Sequence, residues 1–197
     1  YQQDSSGQSF EEIYAKAGVQ AEFAKVICVS IGVLKIDAEN TQFNSKSIAN
    51  SNEHILLSEL AQLLDSRLKS YILCAHNGKE FDFPFLGRRM LINGITLPKY
   101  LQLAGKKPWE IPHLDSLELW KFGDRKNFTS LKLLAHLFGI PSPKEDISGK
   151  DVARVYWEDK DLDRIAKYCQ RDVLTLAQLL LKWNGKPLID SNNVHEL

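Results

Sequence analysis

One amphipathic stretch restricts the fold of this chain more than any other. Leu162, Ile165, Ala166, Cys169, Val173, Leu176, Ala177 and Leu180 recur at helical spacing and form a single apolar stripe on a helix running to about Trp183. Asp161 reads as its N-cap and Gly185 as its stop. Such a helix has to bury that stripe against another layer. Tyr168 and Asp172 are four residues apart and stack on a face bordering the stripe. An aspartate held at the edge of a core is poorly solvated without a cation. A metal ion fits that need, with the tyrosine hydroxyl near enough to orient a metal-bound water. Taken alone, Tyr-x-x-x-Asp is equally what a solvated aspartate beside a packed tyrosine looks like.

A second motif lies upstream. Tyr71-Ile-Leu-Cys-Ala-His-Asn77 reads as a buried strand, and Phe81-Asp82-Phe-Pro-Phe opens a helix after a short turn. Pro84 suits a first helical turn, and Asp82 is favoured there by the helix dipole. Asn-x-x-x-Phe-Asp, followed about ninety residues later by Tyr-x-x-x-Asp on a helix, resembles motifs II and III of the DEDDy 3′–5′ exonucleases. The nearest resemblance is to the predicted exonucleases related to the proofreading domain of family B DNA polymerases. Lys107-Pro-Trp-Glu110, Leu114-Asp115, Trp120-Lys-Phe-Gly123, Ile140-Pro-Ser-Pro-Lys144 and Ser148-Gly-Lys-Asp-Val152 add to it, over roughly Phe23 to Lys182.

The remaining elements read in chain order. Tyr1–Ser9 is polar, and Phe10–Ala17 suits a short helix. Lys25–Ile36 is rich in β-branched residues and reads as a buried strand, joined at Asp37–Asn40 to a weaker one at Thr41–Ile48. Asn52 caps a helix with Leu57, Leu60, Leu64 and Leu68 on one face. A short strand fits His113–Ser116, a helix Ser130–Phe138, and a capping box Ser148-x-x-Asp151. The tail Asn184–Leu197 reads as a polar terminus. Strands alternating with helices give an α/β fold. The resemblance makes it ribonuclease-H-like: a mixed sheet of about five strands flanked by helices, in one domain over residues 1–197.

What the resemblance implies is specific. The family hydrolyses phosphodiesters from the 3′ end of single-stranded nucleic acid, here expected to be DNA, and releases nucleoside 5′-monophosphates. Two divalent cations, Mg²⁺ or Mn²⁺, about 4 Å apart hold the attacking water and the leaving oxygen, and hard carboxylate oxygens hold the cations. Asp82 and Asp172 match two of the four acids, Tyr168 the residue that orients the water, and Asn77 and Phe81 positions that meet substrate. The family's first motif, Asp-x-Glu on a central strand, has no match before Val26. The chain's one Asp-x-Glu, Asp37-Ala-Glu39, lies at a strand end and reads as a turn, with a metal-holding role as the other reading. The expectation is an N-terminally shortened domain lacking its central strand, with two functional classes open: the exonuclease, or a catalytically incomplete nucleic-acid- or partner-binding domain.

Composition narrows the partners. Lys plus Arg equal Asp plus Glu, 25 each, so no global basic field draws nucleic acid and any binding surface is local. Arg88 and Arg89, Lys106 and Lys107 with Trp109, and Lys121–Lys126 with Trp120 and Phe122 mix cations with aromatics, as single-strand binders do and as ordinary surfaces also do. Asp115 and Glu118 read either as neighbours of the site or as a solvated loop pair, and His76 as a hydrogen-bonded strand end. Cys28, Cys74 and Cys169 fit neither a zinc spacing nor a disulfide framework, which suggests a reducing cytoplasm. No apolar run is long enough to span a membrane.

Overall fold

The computed structural model describes residues 17–36, 41–66, 71–124, 126, 128–141 and 146–196. Asp37 and Glu39 lie outside these residues, as does the expected Phe10–Ala17 helix except for Ala17. The framework is a long antiparallel hairpin of β1 (Cys28–Ile36) and β2 (Thr41–Ala49), in register from Cys28 opposite Ala49 to Ile36 opposite Thr41. Period-two alternation sends β1 residues to opposite faces. Val29, Ile31 and Val33 pack on one side against α1 (Glu53–Ser66) and α2 (Asp82–Ile92), around fully buried Leu56, Leu57 and Met90. On the other side Leu34 and Phe43 meet the long helix α6 (Leu162–Trp183).

The stripe on α6 has the expected destination. Asp161 caps the helix, its carboxylate accepting from the Arg164 N–H at 3.0 Å, and Gly185 ends it at φ +64°. Gly32 on β1 lets α6 approach closely. A Cβ there would come within 2.4 Å of the Phe43 ring and 2.8 Å of Val173, distances at which one of them has to move.

The mixed α/β, ribonuclease-H-like fold has its strands in two pieces rather than one sheet. β1 and β2 are joined by β5 (Val194–Glu196), which runs parallel to β2. A separate pair, β3 (Cys74–Ala75) and β4 (Leu114–Asp115), is parallel. Both are shorter than the expected spans Tyr71–Asn77 and His113–Ser116. β5 corrects the reading of residues 184–197 as a plain polar tail. The segment is anchored because the Gln178 side chain accepts from the Ile189 N–H at 2.9 Å and the buried Ile189 side chain packs with Phe43 and Leu181. Around the β3–β4 end sit two short helices, α3 (Ser116–Lys121) and α4 (Leu131–Leu137), and the Ser148 hydroxyl and Asp151 carboxylate bond at 2.7 Å ahead of α5 (Val152–Arg154).

Arg89 corrects another expectation: it is buried, not part of a solvent-facing basic pair. Its guanidinium chelates Glu53 through Nε at 2.9 Å and through Nη2, and Nη1 donates to the Ala21 carbonyl. Burial alone would push the Glu53 carboxyl up, but Arg89, the Val26 N–H and the Asn93 amide together hold it below the usual glutamate value. This cluster ties α1, α2 and the entry to β1 together. Its contribution is present above the ordinary glutamate pKa and is lost as pH falls through the depressed folded value. Arg89→Ala strands a buried carboxylate and should cost about 3–5 kcal/mol, read from chemical denaturation at neutral pH. The loss should shrink in acid, where Glu53 is protonated in both proteins.

Candidate functional site

β3 ends at a tight turn whose conformation is set by one side chain. Asn77 adopts φ +65°, a left-handed conformation that Asn tolerates better than most residues. Asp115, only 2% exposed, accepts from the Asn77 N–H on Oδ1 and from the Lys79 N–H on Oδ2, each at 2.9 Å. The same carboxylate caps α3 by accepting from the Leu117 N–H at 2.9 Å. Four residues on, the Phe81 N–H closes the turn onto the Asn77 carbonyl at 3.0 Å, and α2 begins at Asp82. The turn thus fixes where Asp82 stands. Asp115 is the positioning residue that the sequence reading left undecided. Asp115-Ser-Leu-Glu118 has the Asp-x-x-Glu spacing of a capping box, which is the signal that reveals it. Glu118 pairs with the Lys79 ammonium at 2.8 Å. His76 is a bonded strand end, with one ring nitrogen 2.8 Å from Ser116 Oγ and the other 2.8 Å from the Thr129 carbonyl.

Asp82 and Asp172 both line one cavity of about 650 Å³ between β1, β3 and α6. Burial pushes the Asp82 carboxyl up, opposed by its own backbone N–H and reinforced by the negative charge of Asp115. Cys74, in the same cavity wall, is pushed up to about 12 by burial and by Asp115, so its thiol stays neutral. Tyr168 stands one helical turn before Asp172 but outside the cavity wall. It packs with Ile147, Val155 and Ile165, and its hydroxyl reaches to 3.9 Å from where a Cβ on Gly149 would lie. Asn77 and Phe81 also lie outside the wall, Phe81 exposed and tilted against Phe85 at 5.4 Å. The fold therefore brings the two acids to one cavity and keeps the other three residues off its walls.

The acids supply hard oxygens of the kind Mg²⁺ and Mn²⁺ take. Among the described residues, however, no group of three or more His, Cys, Asp or Glu is placed to hold a metal ion. These residues alone do not complete a cation site.

Elsewhere on the surface, aromatics and cations are paired. Lys107 lies 5.4 Å from the Trp109 ring centroid and Lys160 5.3 Å from that of Trp157, and both tryptophans are exposed. Phe122 is 92% exposed, whereas Trp120 is a packed residue stacked on Trp183 at 6.3 Å. No helix among the described residues is long and apolar enough to cross a membrane.

The chain resembles known proteins in the same sense. It is 25% identical over 121 residues to a DNA polymerase of Pyrococcus glycovorans, an alignment covering 55% of this chain and 15% of that protein. The chain thus spans only a small part of that relative's length. Residues 19–185 match the family described as a predicted 3′–5′ exonuclease related to the exonuclease domain of PolB. With that match running through the β1–β2 hairpin, the turn that places Asp82 and the whole of α6, this chain belongs to the family of predicted exonucleases related to the exonuclease domain of PolB.

Proposed function

We propose that this chain carries part of the active site of a DEDDy-type 3′–5′ exonuclease that trims single-stranded DNA and releases nucleoside 5′-monophosphates. The observation that carries the reading is that Asp82 and Asp172, about ninety residues apart in sequence, line the same cavity. Asp82 and Asp172 would hold divalent cations, two Mg²⁺ or Mn²⁺ in the completed site, together with carboxylates from elsewhere in the protein. Cations so bound offset the charge that builds on phosphate oxygens during hydrolysis. Tyr168, one turn from Asp172, orients the attacking water through its hydroxyl, and Asn77 and Phe81, at the turn before Asp82, meet the substrate end. Exposed Trp109 and Phe122 offer faces on which unpaired bases stack, beside lysines that pair with phosphates. A reducing cytoplasmic setting suits the three free thiols.

Two measurements test the acids. Because burial raises the Asp82 pKa, the folded chain keeps that proton to higher pH than the unfolded chain does. Stability therefore falls as pH rises through the interval between the ordinary aspartate value and the raised one. Without added metal, Asp82→Asn should melt at a higher temperature than the parent at neutral pH, and the difference should vanish in acid. An Asn variant less stable at neutral pH and equally so in acid would remove the buried-acid assignment. The second measurement concerns the reaction. In a form of the protein that supplies the further carboxylates, Asp172→Asn should abolish Mg²⁺- or Mn²⁺-dependent digestion of single-stranded DNA. Tyr168→Phe should slow it by about 10–100-fold, the size of effect seen when a group supporting a metal site is lost. The 197-residue chain by itself should show neither digestion nor a rise in melting temperature on adding either cation. Digestion by Asp172→Asn at the parent rate would exclude Asp172 from the site.

A further inference from the structure

Cys28 and Cys169 are about 140 residues apart in sequence and meet where α6 packs on β1. Alternation along β1 puts Cys28, Ser30, Gly32 and Leu34 on one face of the strand. Cys169 and Val173 are one helical turn apart on one face of α6. At one end of the contact a Cβ on Gly32 would come within 2.8 Å of Val173, and Leu34 and Val173 pack in the same cluster. At the other end Cys28 and Cys169 pack on the same buried trio, Ile147, Val155 and Ile165. There the Cys169 S–H donates to the Cys28 sulfur, and Ser30 adds a second hydrogen bond to it. Both thiols are half-buried rather than sealed. The third cysteine, Cys74, lies in the cavity wall instead.

We propose that Cys28 and Cys169 are a redox-sensitive pair whose reversible disulfide latches α6 to β1. An odd number of cysteines argues against a structural disulfide framework, but not against one pair that the fold brings into contact. In a reducing compartment such a pair rests as thiols and bonds only under an oxidant. A small-molecule disulfide is an oxidant of the right chemistry. The hydrogen bond from Cys169 holds the Cys28 thiol below the ordinary cysteine value; burial opposes this, and Ser30 adds to it. Cys28 is therefore the sulfur that attacks first, as a thiolate. It bonds to one sulfur of the oxidant, the oxidant's S–S bond breaks, and one small thiolate leaves. Cys169 then gives its proton to that thiolate, and its sulfur attacks the Cys28 sulfur. The mixed bond breaks, and the second small thiolate leaves and takes up the proton that Cys28 had released. Two protein thiols are oxidised and one small disulfide is reduced to two thiols. Cys169 directly follows Tyr168 and stands three residues before Asp172, so the latch holds the turn of α6 that carries both. The inference stands on the contact between two thiols and does not depend on the exonuclease reading.

The test uses the whole chain, without denaturant, and glutathione disulfide as the oxidant. Cysteines left free are alkylated, and the chain is mapped by mass spectrometry. The expected product has lost two hydrogens, links Cys28 to Cys169 and carries an alkylated Cys74. It should melt roughly 5–15 °C above the reduced chain, as expected of a bond that closes so long a loop. Amides of residues 166–173 should exchange at least about tenfold more slowly in it. Dithiothreitol should reverse both changes. Cys169→Ser should stop at a glutathione adduct on Cys28, and Cys28→Ser should show neither the link nor the rise in melting temperature. Recovery of Cys28 and Cys169 both alkylated, or a link that forms only in denaturant or only between two copies of the chain, would overturn the pair. A link that leaves melting and α6 exchange unchanged would overturn the latch. Mapping, melting and exchange are all read on the parent chain, so they decide the matter even if a serine variant fails to fold.

Discussion

Burial of the α6 stripe against the β1–β2 hairpin is the contact on which the other elements depend. Val173, Ala177 and Leu181 are withdrawn from water because Leu34 and Phe43 of the hairpin receive them, while Leu179 packs on the other side against Leu134 and Ala135 of α4. The hairpin face is smooth enough at Gly32 for the helix to come close. Once α6 is seated, helical geometry carries Asp172 to the cavity wall. α1 and α2 do the same on the opposite face, and the Glu53–Arg89 cluster links them to the start of β1. Asp82, at the first turn of α2, is placed by that second layer.

The candidate site thus sits in the cavity between β1, β3 and α6, and its electrostatics follow. A carboxylate beside apolar walls and near another acid is costly to ionise, which is why Asp82 holds its proton above the usual range. Asp115, only 2% exposed, has a different set of partners. It accepts backbone N–H groups from both the turn and α3, so its charge is solvated by peptide dipoles. One acid organises the turn, and the other lines the cavity with its carboxyl pushed up by burial.

How much of this was legible beforehand varied with the range of the interaction. Helix α6, its Asp161 cap and its Gly185 stop were readable because periodicity and capping are local properties. The β1 and β2 spans followed from β-branched enrichment and a turn. β5 was not readable, since three residues carry no period, and their pairing with β2 depends on Gln178 and Ile189 holding the chain in place. Arg89 was misread as surface charge because its sequence neighbours do not reveal that Glu53, thirty-six positions away, lies beside it. Trp120 was grouped with exposed cations for the same reason, although it stacks on Trp183.

The sequence by itself determined the amphipathic helix, the strand–turn–helix that presents Asp82, the spacing that pairs Tyr168 with Asp172, and the family these belong to. Each depends on residues within a few positions of one another, where φ/ψ preference and helical pitch leave little choice. Only the tertiary structure decided that Asp82 and Asp172 share a cavity while Tyr168 packs outside it. It alone decided that Asp115 holds the turn, and that the described strands fall into two separate sheets. Those features depend on backbone groups and side chains brought together across long stretches of chain, and no local periodicity records which edge of a strand remains unpaired.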